Sequence, residues 1–561
     1  MNQARVGRAV VTGSAWGAAL WLLVGCSSND ASLSAPAQAT KDASVPSTNY
    51  PQPSAAAGAS SSAPVAGPNL GIQLPAGEEA APPDPVVDPA IPTNGFVVTA
   101  HDPESTFAAD VDTASYDIFR GAVNRELLPE PATVRLEEYV NDFEYAYPAP
   151  APDSTTPFSI SLAASPGLYG RQTVLLRVGI RGKDAQPTEK LPTNLVFLVD
   201  TSGSMQTADK LPLVKRVLTD TLDVLAPTDT VSIVTYAGFT SVALAPTKVS
   251  DKAKIAAVID SFTAGGSTAG AAGLDLAYAQ ASAGFLKGGL NHVLLCTDGD
   301  FNVGPSSTPE LISAIEEKRK SGITLTVLGF GQGLNDSMME AVSNKGNGVY
   351  GVISSAEQAD TYVKDRMLST MTFIAKDMKI QVEFNPAQVY AYRLLGYEDR
   401  AIADDDFRND VIDAGEVGAG HRVTALYELA LTRDAVPNVG DAAMLQDGAP
   451  FTDPLEVDAD ALALVKVRYK DRDASESDAA HEVSQSLLPS ELIASASDAD
   501  DDFAWAIAVA SFSELLKKSP FAVPSSLAAI ERIVKRKIYA ADPDRAEFVT
   551  LFDKAQPLLA P

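Results

Sequence analysis

Between residues 194 and 365 the chain alternates short, continuous apolar runs with amphipathic helical stretches, and few folds accept that alternation. Asn194–Val199, Thr230–Tyr236, His292–Thr297, Ile323–Gly329 and Gly348–Ile353 read as strands, with Ser241–Ala245 as a further one. Lys210–Leu225, Lys252–Phe262, Ala269–Phe285, Pro309–Lys320 and Ser337–Ser343 read as helices between them. A strand that is apolar on both faces must be covered on both faces, and crossover helices between parallel strands do this. The segment is therefore expected to be α/β, a doubly wound and mostly parallel sheet. Ligands of such sheets bind beyond the carboxyl ends of the strands.

Strand patterns also flank this region. Phe158–Leu162 and Thr173–Ile180 precede it, and Lys379–Phe384, Val389–Gly396, Val423–Leu431 and Leu462–Tyr469 follow it. Together they are expected to form a β-sandwich into which the α/β domain is inserted. Residues 104–148 read as helical in two pieces. In the first, Thr113–Asn124, Tyr116, Phe119 and Val123 share a face, and Asp112 or Thr113 can cap it. Pro131 opens the second, with Val134, Leu136, Tyr139, Val140 and Phe143. Residues 472–500 read as a polar linker, and Asp502–Lys517, Ser526–Ile538 and Arg545–Leu558 as helices. The expected boundaries are 94–150 for an N-terminal helical segment, 151–190 and 371–471 for the sandwich, 191–370 for the α/β domain and 472–561 for a C-terminal helical region.

Arg5 and Arg8 precede a largely apolar run from Ala9 to Val24, which suits a secretory signal. Leu23-Val24-Gly25-Cys26 resembles a bacterial lipobox. That resemblance implies that residues 1–26 form a signal and lipobox, with lipidation at Cys26. Residue 27 is serine, not the aspartate that retains some lipoproteins at the inner membrane, and this favours the outer membrane. Residues 27–93 are rich in Ala, Ser and Pro and read as a flexible tether. The expected setting is the bacterial cell envelope, with membrane contact through the lipid anchor.

Charge and motif inventory exclude several functions. Lys plus Arg is 43 against 72 for Asp plus Glu, a net charge of −29. Such a chain is repelled by nucleic acid, which is not an expected partner. Cys26 and Cys296 make no disulfide framework, and His101, His292, His421 and His481 are widely spaced. The sequence contains no H-E-x-x-H, G-x-S-x-G or Walker A motif. No catalytic residue, no enzymatic activity and no small-molecule substrate are expected.

Three segments carry oxygen ligands. Asp200-Thr201-Ser202-Gly203-Ser204 directly follows the first buried strand. Gly265-Gly266-Ser267-Thr268-Ala269-Gly270 leads into a helix, and Thr297-Asp298-Gly299-Asp300 ends a third apolar strand. Asp200 and Asp298 offer carboxylates, and Ser202, Ser204 and Thr268 offer hydroxyls. Hard divalent cations take such ligands and retain water or an open position. Each segment alone reads equally well as a cap, loop or turn; their joint occurrence in this order around one sheet is far less expected by chance.

These segments resemble the metal-ion-dependent adhesion site of von Willebrand factor type A domains. The resemblance implies a metal site of Asp200, Ser202, Ser204, Thr268 and Asp298, with Asp300 in no ligand role. It implies a divalent cation, Mg2+ first and Mn2+ or Ca2+ as alternatives. It also implies a protein partner held through an Asp or Glu carboxylate. The similarity extends further. Thr106–Tyr116, Val134–Glu138, Glu383–Val389, Ala414–His421 and Arg545–Val549 are similar to segments of bacterial YfbK-like lipoproteins, over roughly residues 104–558.

Other candidates read as structural. The acidic stretch 404–416 lacks the EF-hand spacing and reads as a solvated loop rather than a calcium site. Asp110 and Asp112 suit capping better than metal binding, Cys296 reads as an inert core thiol, and His421 has no evident catalytic partner. The leading expectation is a metal-dependent adhesion or scaffolding module. A metal-assisted hydrolase, or an envelope scaffold with a purely stabilising metal, are the alternatives.

Overall fold

The computed structural model describes residues 93–559 apart from 110–111, 152, 168–170, 185–190, 268–269, 300–307, 368–372, 411, 413, 441–449, 473, 475–477 and 496–497. The expected signal, Cys26 and the tether before residue 93 lie outside the described residues. Among the described residues no helix is long and apolar enough to cross a membrane.

Two strands and two helices open the described chain: β1 (Val97–Val98), β2 (Glu104–Ala108), α1 (Ala114–Val123) and α2 (Leu136–Asn141). Then come β3 (Phe158–Pro166) and β4 (Val174–Gly182). The α/β part runs β5 (Thr193–Asp200), α3 (Leu211–Val224), β6 (Thr230–Tyr236), β7 (Thr240–Lys248), α4 (Lys252–Asp260), α5 (Gly270–Ala283), β8 (Leu290–Thr297), α6 (Thr308–Arg319), β9 (Thr324–Phe330), α7 (Asp336–Lys345), β10 (Tyr350–Ile353) and α8 (Ala356–Thr361). After it come β11 (Phe373–Phe384), β12 (Ala391–Leu395), β13 (Ala401–Ile402), β14 (Gly415–Gly418), β15 (Arg422–Ala430), β16 (Ala463–Asp471) and β17 (His481–Leu487). Three helices close the chain: Asp501–Lys517, Leu527–Val534 and Pro543–Leu559.

The α/β sheet has the order β10-β9-β8-β5-β6-β7. All its pairings are parallel except β6 with β7, which makes β7 an antiparallel edge. β5 shows why the sheet is doubly covered. Leu195, Phe197 and Val199 point into a core with Leu211, Val214, Val217 and Leu218 of α3. Val196 and Leu198 point the other way, into a core with Leu274, Ala277, Tyr278 and Ala281 near α5. Alternate side chains of a strand face opposite sides, so a continuous apolar run needs two layers.

The flanking strands form two antiparallel sheets, β1-β12-β15-β4-β3 and β13-β2-β11-β16-β17, with β14 also on β11. A core of Leu176, Val178, Ile180, Ile380, Val382, Val465 and Val467 lies between them. β4, from before the α/β domain, pairs with β15 from after it, Val178 opposite Ala425. The expected α/β insertion into a sandwich is thus present.

Three expectations need correction. Glu104–Ala108 is a strand, not part of a helical piece. It pairs with β11, Phe107 opposite Ile380, and Phe107 packs against Tyr397 and Tyr427. Five residues without helical periodicity take the structure their tertiary pairing offers. The 472–500 segment is not simply a linker, because His481–Leu487 forms edge strand β17 on β16. Its polarity suits an edge exposed along most of its length. The C-terminal 526–538 pattern is broken, ending as a helix at Val534 before a 3-10 turn at Lys537–Ala541.

The helical pieces from the two ends of the sequence share one core. Tyr116, Phe119, Tyr139 and Phe143 of the N-terminal segment pack with Trp505, Phe512, Phe548 and Phe552. The Phe143 and Trp505 rings meet edge to face at 5.3 Å. The N-terminal segment also grips the α/β domain. Asp112 does not cap α1: its Oδ1 accepts the Tyr350 amide of β10 at 2.9 Å, and its Oδ2 lies 2.7 Å from Arg400. Thr113 holds the N-cap position without a side-chain capping bond. Asp110 lies outside the described residues.

Next to this contact, Arg135 joins three parts of the molecule. Its Nη1 is 2.8 Å from Asp336 of α7 and 3.5 Å from Glu138. Its Nη2 pairs with Glu340 of α7, and its Nε is 3.4 Å from Asp399 beyond β12. All but Asp399 are buried.

Candidate metal centre

The first and third ligand loops both leave the carboxyl end of the parallel sheet. β5 ends on Asp200, whose backbone partner is Tyr236 at the end of neighbouring β6. β8, on the other side of β5, ends on Thr297 immediately before Asp298. Asp200 is fully buried and Asp298 nearly so. The Asp200 carboxylate accepts the Ser202 amide at 2.8 Å and the Thr297 hydroxyl at 3.2 Å. The turn that begins at Gly203 brings the Ser202 and Ser204 hydroxyls to 3.0 Å from each other.

Backbone hydrogen bonds tie the second loop to the first. The Gly203 amide donates to the Gly266 carbonyl at 3.0 Å, and the Gly265 amide to the Thr201 carbonyl at 2.9 Å. Thr201 in turn donates its amide to the Tyr236 carbonyl at 2.9 Å. Thr268 itself, and Asp300, lie outside the described residues. Of the five sequence-assigned ligands, Asp200, Ser202, Ser204 and Asp298 therefore lie on two loops at one end of the sheet, and the loop that carries Thr268 is laced to them.

The electrostatics of the pocket call for positive charge. Burial, reinforced by the nearby Asp298 charge, pushes the Asp200 carboxyl up to about 6, although Ser202 hydrogen bonds pull it down. Two buried carboxylates and two hydroxyls are an oxygen-only set, which fits a hard divalent cation. One cation of the chain already sits there: the Lys210 ammonium is 2.9 Å from Asp298 Oδ2. Sequence reading placed Lys210 only at the start of an amphipathic helix. A signal did exist. A lysine in the N-cap position of α3 opposes the helix dipole, and such a placement asks for a nearby anion.

Gly299 fixes the third loop. It has φ of +85°, and a Cβ there would lie 2.6 Å from the Asn335 amide nitrogen. Gly299→Ala is expected to cost about 1–3 kcal/mol through strain and to weaken divalent-ion binding by shifting Asp298. Thermal melting and metal titration of the variant measure both.

The remaining sequence candidates are accounted for. The acidic stretch near 404–410 is tied down by cations of the chain, one of which pairs with a carboxylate. Lys379 Nζ donates to the Asp406 carbonyl at 3.0 Å, Lys470 Nζ donates to the Asp410 carbonyl at 2.9 Å, and Arg468 brackets the Asp410 carboxylate at 2.8 and 3.0 Å. It is a cross-linked loop more than a solvated one. Cys296 is buried in β8, and burial pushes its thiol up. His292 is a core residue held down to about 4 by burial, with Nδ1 2.6 Å from Thr324 Oγ1. Burial first, then Arg366 and Arg422, lower His421 to about 4.

Comparison with known proteins gives three family matches. The von Willebrand factor type A domain matches residues 194–365, a model described as von Willebrand factor matches 89–177, and one described as uncharacterized protein YfbK, C-terminal, matches 369–558. The uncharacterized protein YfbK of Escherichia coli (strain K12) is 38% identical over 470 residues, spanning 81% of this chain and 78% of that protein. Among solved structures, a von Willebrand factor type A protein from Catenulispora acidiphila is similar over 72% of this chain and 90% of that one, at 14% identity and a TM-score of 0.40. Proximal thread matrix protein 1 from the mussel byssus, in a form with a zinc-occupied MIDAS motif, is similar over 33% of this chain and 48% of that one, at 20% identity and a TM-score of 0.27.

Proposed function

The chain belongs to the YfbK family, with a von Willebrand factor type A domain at its centre, and from that premise we propose that it is an envelope-anchored binding protein that takes a partner's Asp or Glu carboxylate in a metal-dependent way. One observation carries the reading: Asp200, Ser202, Ser204 and Asp298 converge at the carboxyl end of the sheet as an oxygen-only donor set. When bound there, a divalent cation, Mg2+ by preference, supplies a coordination position open to an external carboxylate.

The chain's own residues prepare that position. The Asp200 carboxylate is oriented by the Ser202 amide and the Thr297 hydroxyl, so it presents a fixed direction. Asp298 adds the second negative charge, and Thr268 is the fifth ligand in the proposal. The binding reading is supported by an oxygen donor set that would leave a hard cation a position open to an external carboxylate. The lipobox at Cys26 adds the anchor, and the outer membrane is the proposed location.

The test is capture of extracted envelope proteins by the lipidated chain, with Mg2+, with EDTA, and with Mg2+ restored. A partner retained only in Mg2+ and lost with Asp200→Ala supports the reading. Capture that ignores both EDTA and Asp200→Ala refutes it. If EDTA lowers only the melting temperature, the metal is structural.

A further inference from the structure

We propose that Lys210 is a tethered counter-cation of the metal centre, holding Asp298 when no divalent ion is bound and surrendering part of that carboxylate when one arrives. The inference rests on reading the three loops as a cation site. It assigns Lys210 the task of setting the site's affinity and keeping Asp298 in place.

Three observations support it. The Lys210 ammonium is 2.9 Å from Asp298 Oδ2, and the two side chains are only 16% and 2% exposed. This is therefore not a loose surface pair. The lysine stem has a dedicated path. Gly331 has φ of +87°, and a Cβ there would come within 2.6 Å of Lys210 Cε and 2.9 Å of Cγ. Lys210 also stands in the N-cap position of α3, where helix amides already carry partial positive charge. An ammonium placed against the dipole and along a bare backbone position is held by its partner across the loop.

The consequence follows from charge. Without a metal, Asp200 and Asp298 are like charges in a shared buried pocket. The ammonium offsets that repulsion and keeps Asp298 aimed. A divalent ion must compete with a cation already bound to one of its ligands, and the two positive charges repel at close range. Lys210 should therefore weaken metal binding while stabilising the metal-free protein. A merely structural salt bridge predicts the opposite change in affinity, because losing it would disorder a ligand.

The experiment is Mn2+ titration by calorimetry of the full chain and its Lys210→Gln, Lys210→Arg and Asp200→Ala variants. Lys210→Gln should bind Mn2+ about tenfold tighter or more, consistent with removal of a like charge at contact range. Its metal-free form should melt lower, and Lys210→Arg should stay near the native affinity. Equal or weaker binding by Lys210→Gln overturns the proposal while leaving the metal centre standing. If neither the native chain nor Lys210→Gln binds Mn2+, the metal-centre reading fails and this proposal falls with it. A measurement on the native chain guards against a misfolded variant: amine labelling of Lys210, read by mass spectrometry, should rise when Mn2+ saturates the site. Unchanged or reduced labelling also overturns the proposal.

Discussion

Replacing Asp200 with alanine is expected to lower divalent-ion affinity by about a hundredfold or more, since even residues that only support metal ligands typically cost 10- to 100-fold. The same substitution should not unfold the protein. Burial pushes this carboxyl up to about 6, so its ionised form is penalised in the metal-free fold. The sign follows from linkage. A folded value above the unfolded one means the penalty is absent below about pH 4 and complete above about pH 6. At pH 7 it is on the order of 3 kcal/mol, and alanine removes it. Loss of the hydrogen bonds to Ser202 and Thr297 offsets part of the gain. The metal-free melting temperature of Asp200→Ala should therefore hold or rise, while the metal-induced rise expected of the native chain should disappear. Calorimetric metal titration and melting curves with and without Mg2+ read both effects. A variant that binds Mg2+ as the native chain does would remove Asp200 from the ligand set.

The largest effect on stability is expected at Arg135. Arg135→Met removes the guanidinium on which Glu138, Asp336, Glu340 and Asp399 converge. Stranding buried carboxylates costs about 3–5 kcal/mol. The loss should loosen the N-terminal segment from α7, and hydrogen exchange should quicken in α1, α2 and α7 before the sandwich. The cost should also shrink on acidification. Burial already pushes Glu340 well above the usual carboxylate range with Arg135 beside it. Without that attraction Glu340 rises further, so it is neutral over more of the pH range. Its penalty in the variant is complete above that raised value, shrinks as pH falls through it, and is absent only below the unfolded carboxylate value. Melting temperatures of native and variant chains at pH 8 and pH 5 measure this, and an equal gap at both would argue against the mechanism.

The legible parts of this molecule were those whose cause is local. Asn194–Val199 announces a doubly covered strand because every residue in it needs an apolar neighbour. The candidate ligands Asp200, Ser202 and Ser204 are readable because one turn determines their relation. What stayed hidden depends on partners distant in sequence. Lys210 meets Asp298 88 positions away, and spacing along the chain carries no trace of that pairing. Glu104–Ala108 becomes a strand because β11 offers an edge, not because its residues insist on one. The apolar face of Tyr116, Phe119 and Val123 is visible in the sequence, but its cover, Trp505 and Phe548, comes from the far end of the chain. The acidic stretch at 404–410 reads as solvated because the residues that tie it down, Lys379, Arg468 and Lys470, come from strands elsewhere in the sequence.

The pairing of β4 with β15 has a consequence in time. β4 ends at Gly182 and its partner starts at Arg422, so the strand leaves the ribosome some tens of seconds before its partner exists, at typical synthesis rates of about 5–20 residues per second. Meanwhile the α/β domain, whose parallel pairings all lie within residues 193–353, has every strand it needs. The nascent chain therefore carries a finished α/β domain on an unfinished sandwich, with β3 and β4 as an exposed apolar hairpin. The period of greatest exposure to aggregation and proteolysis falls after the central domain has folded, and it ends only when β11 to β16 emerge to close the sandwich around it.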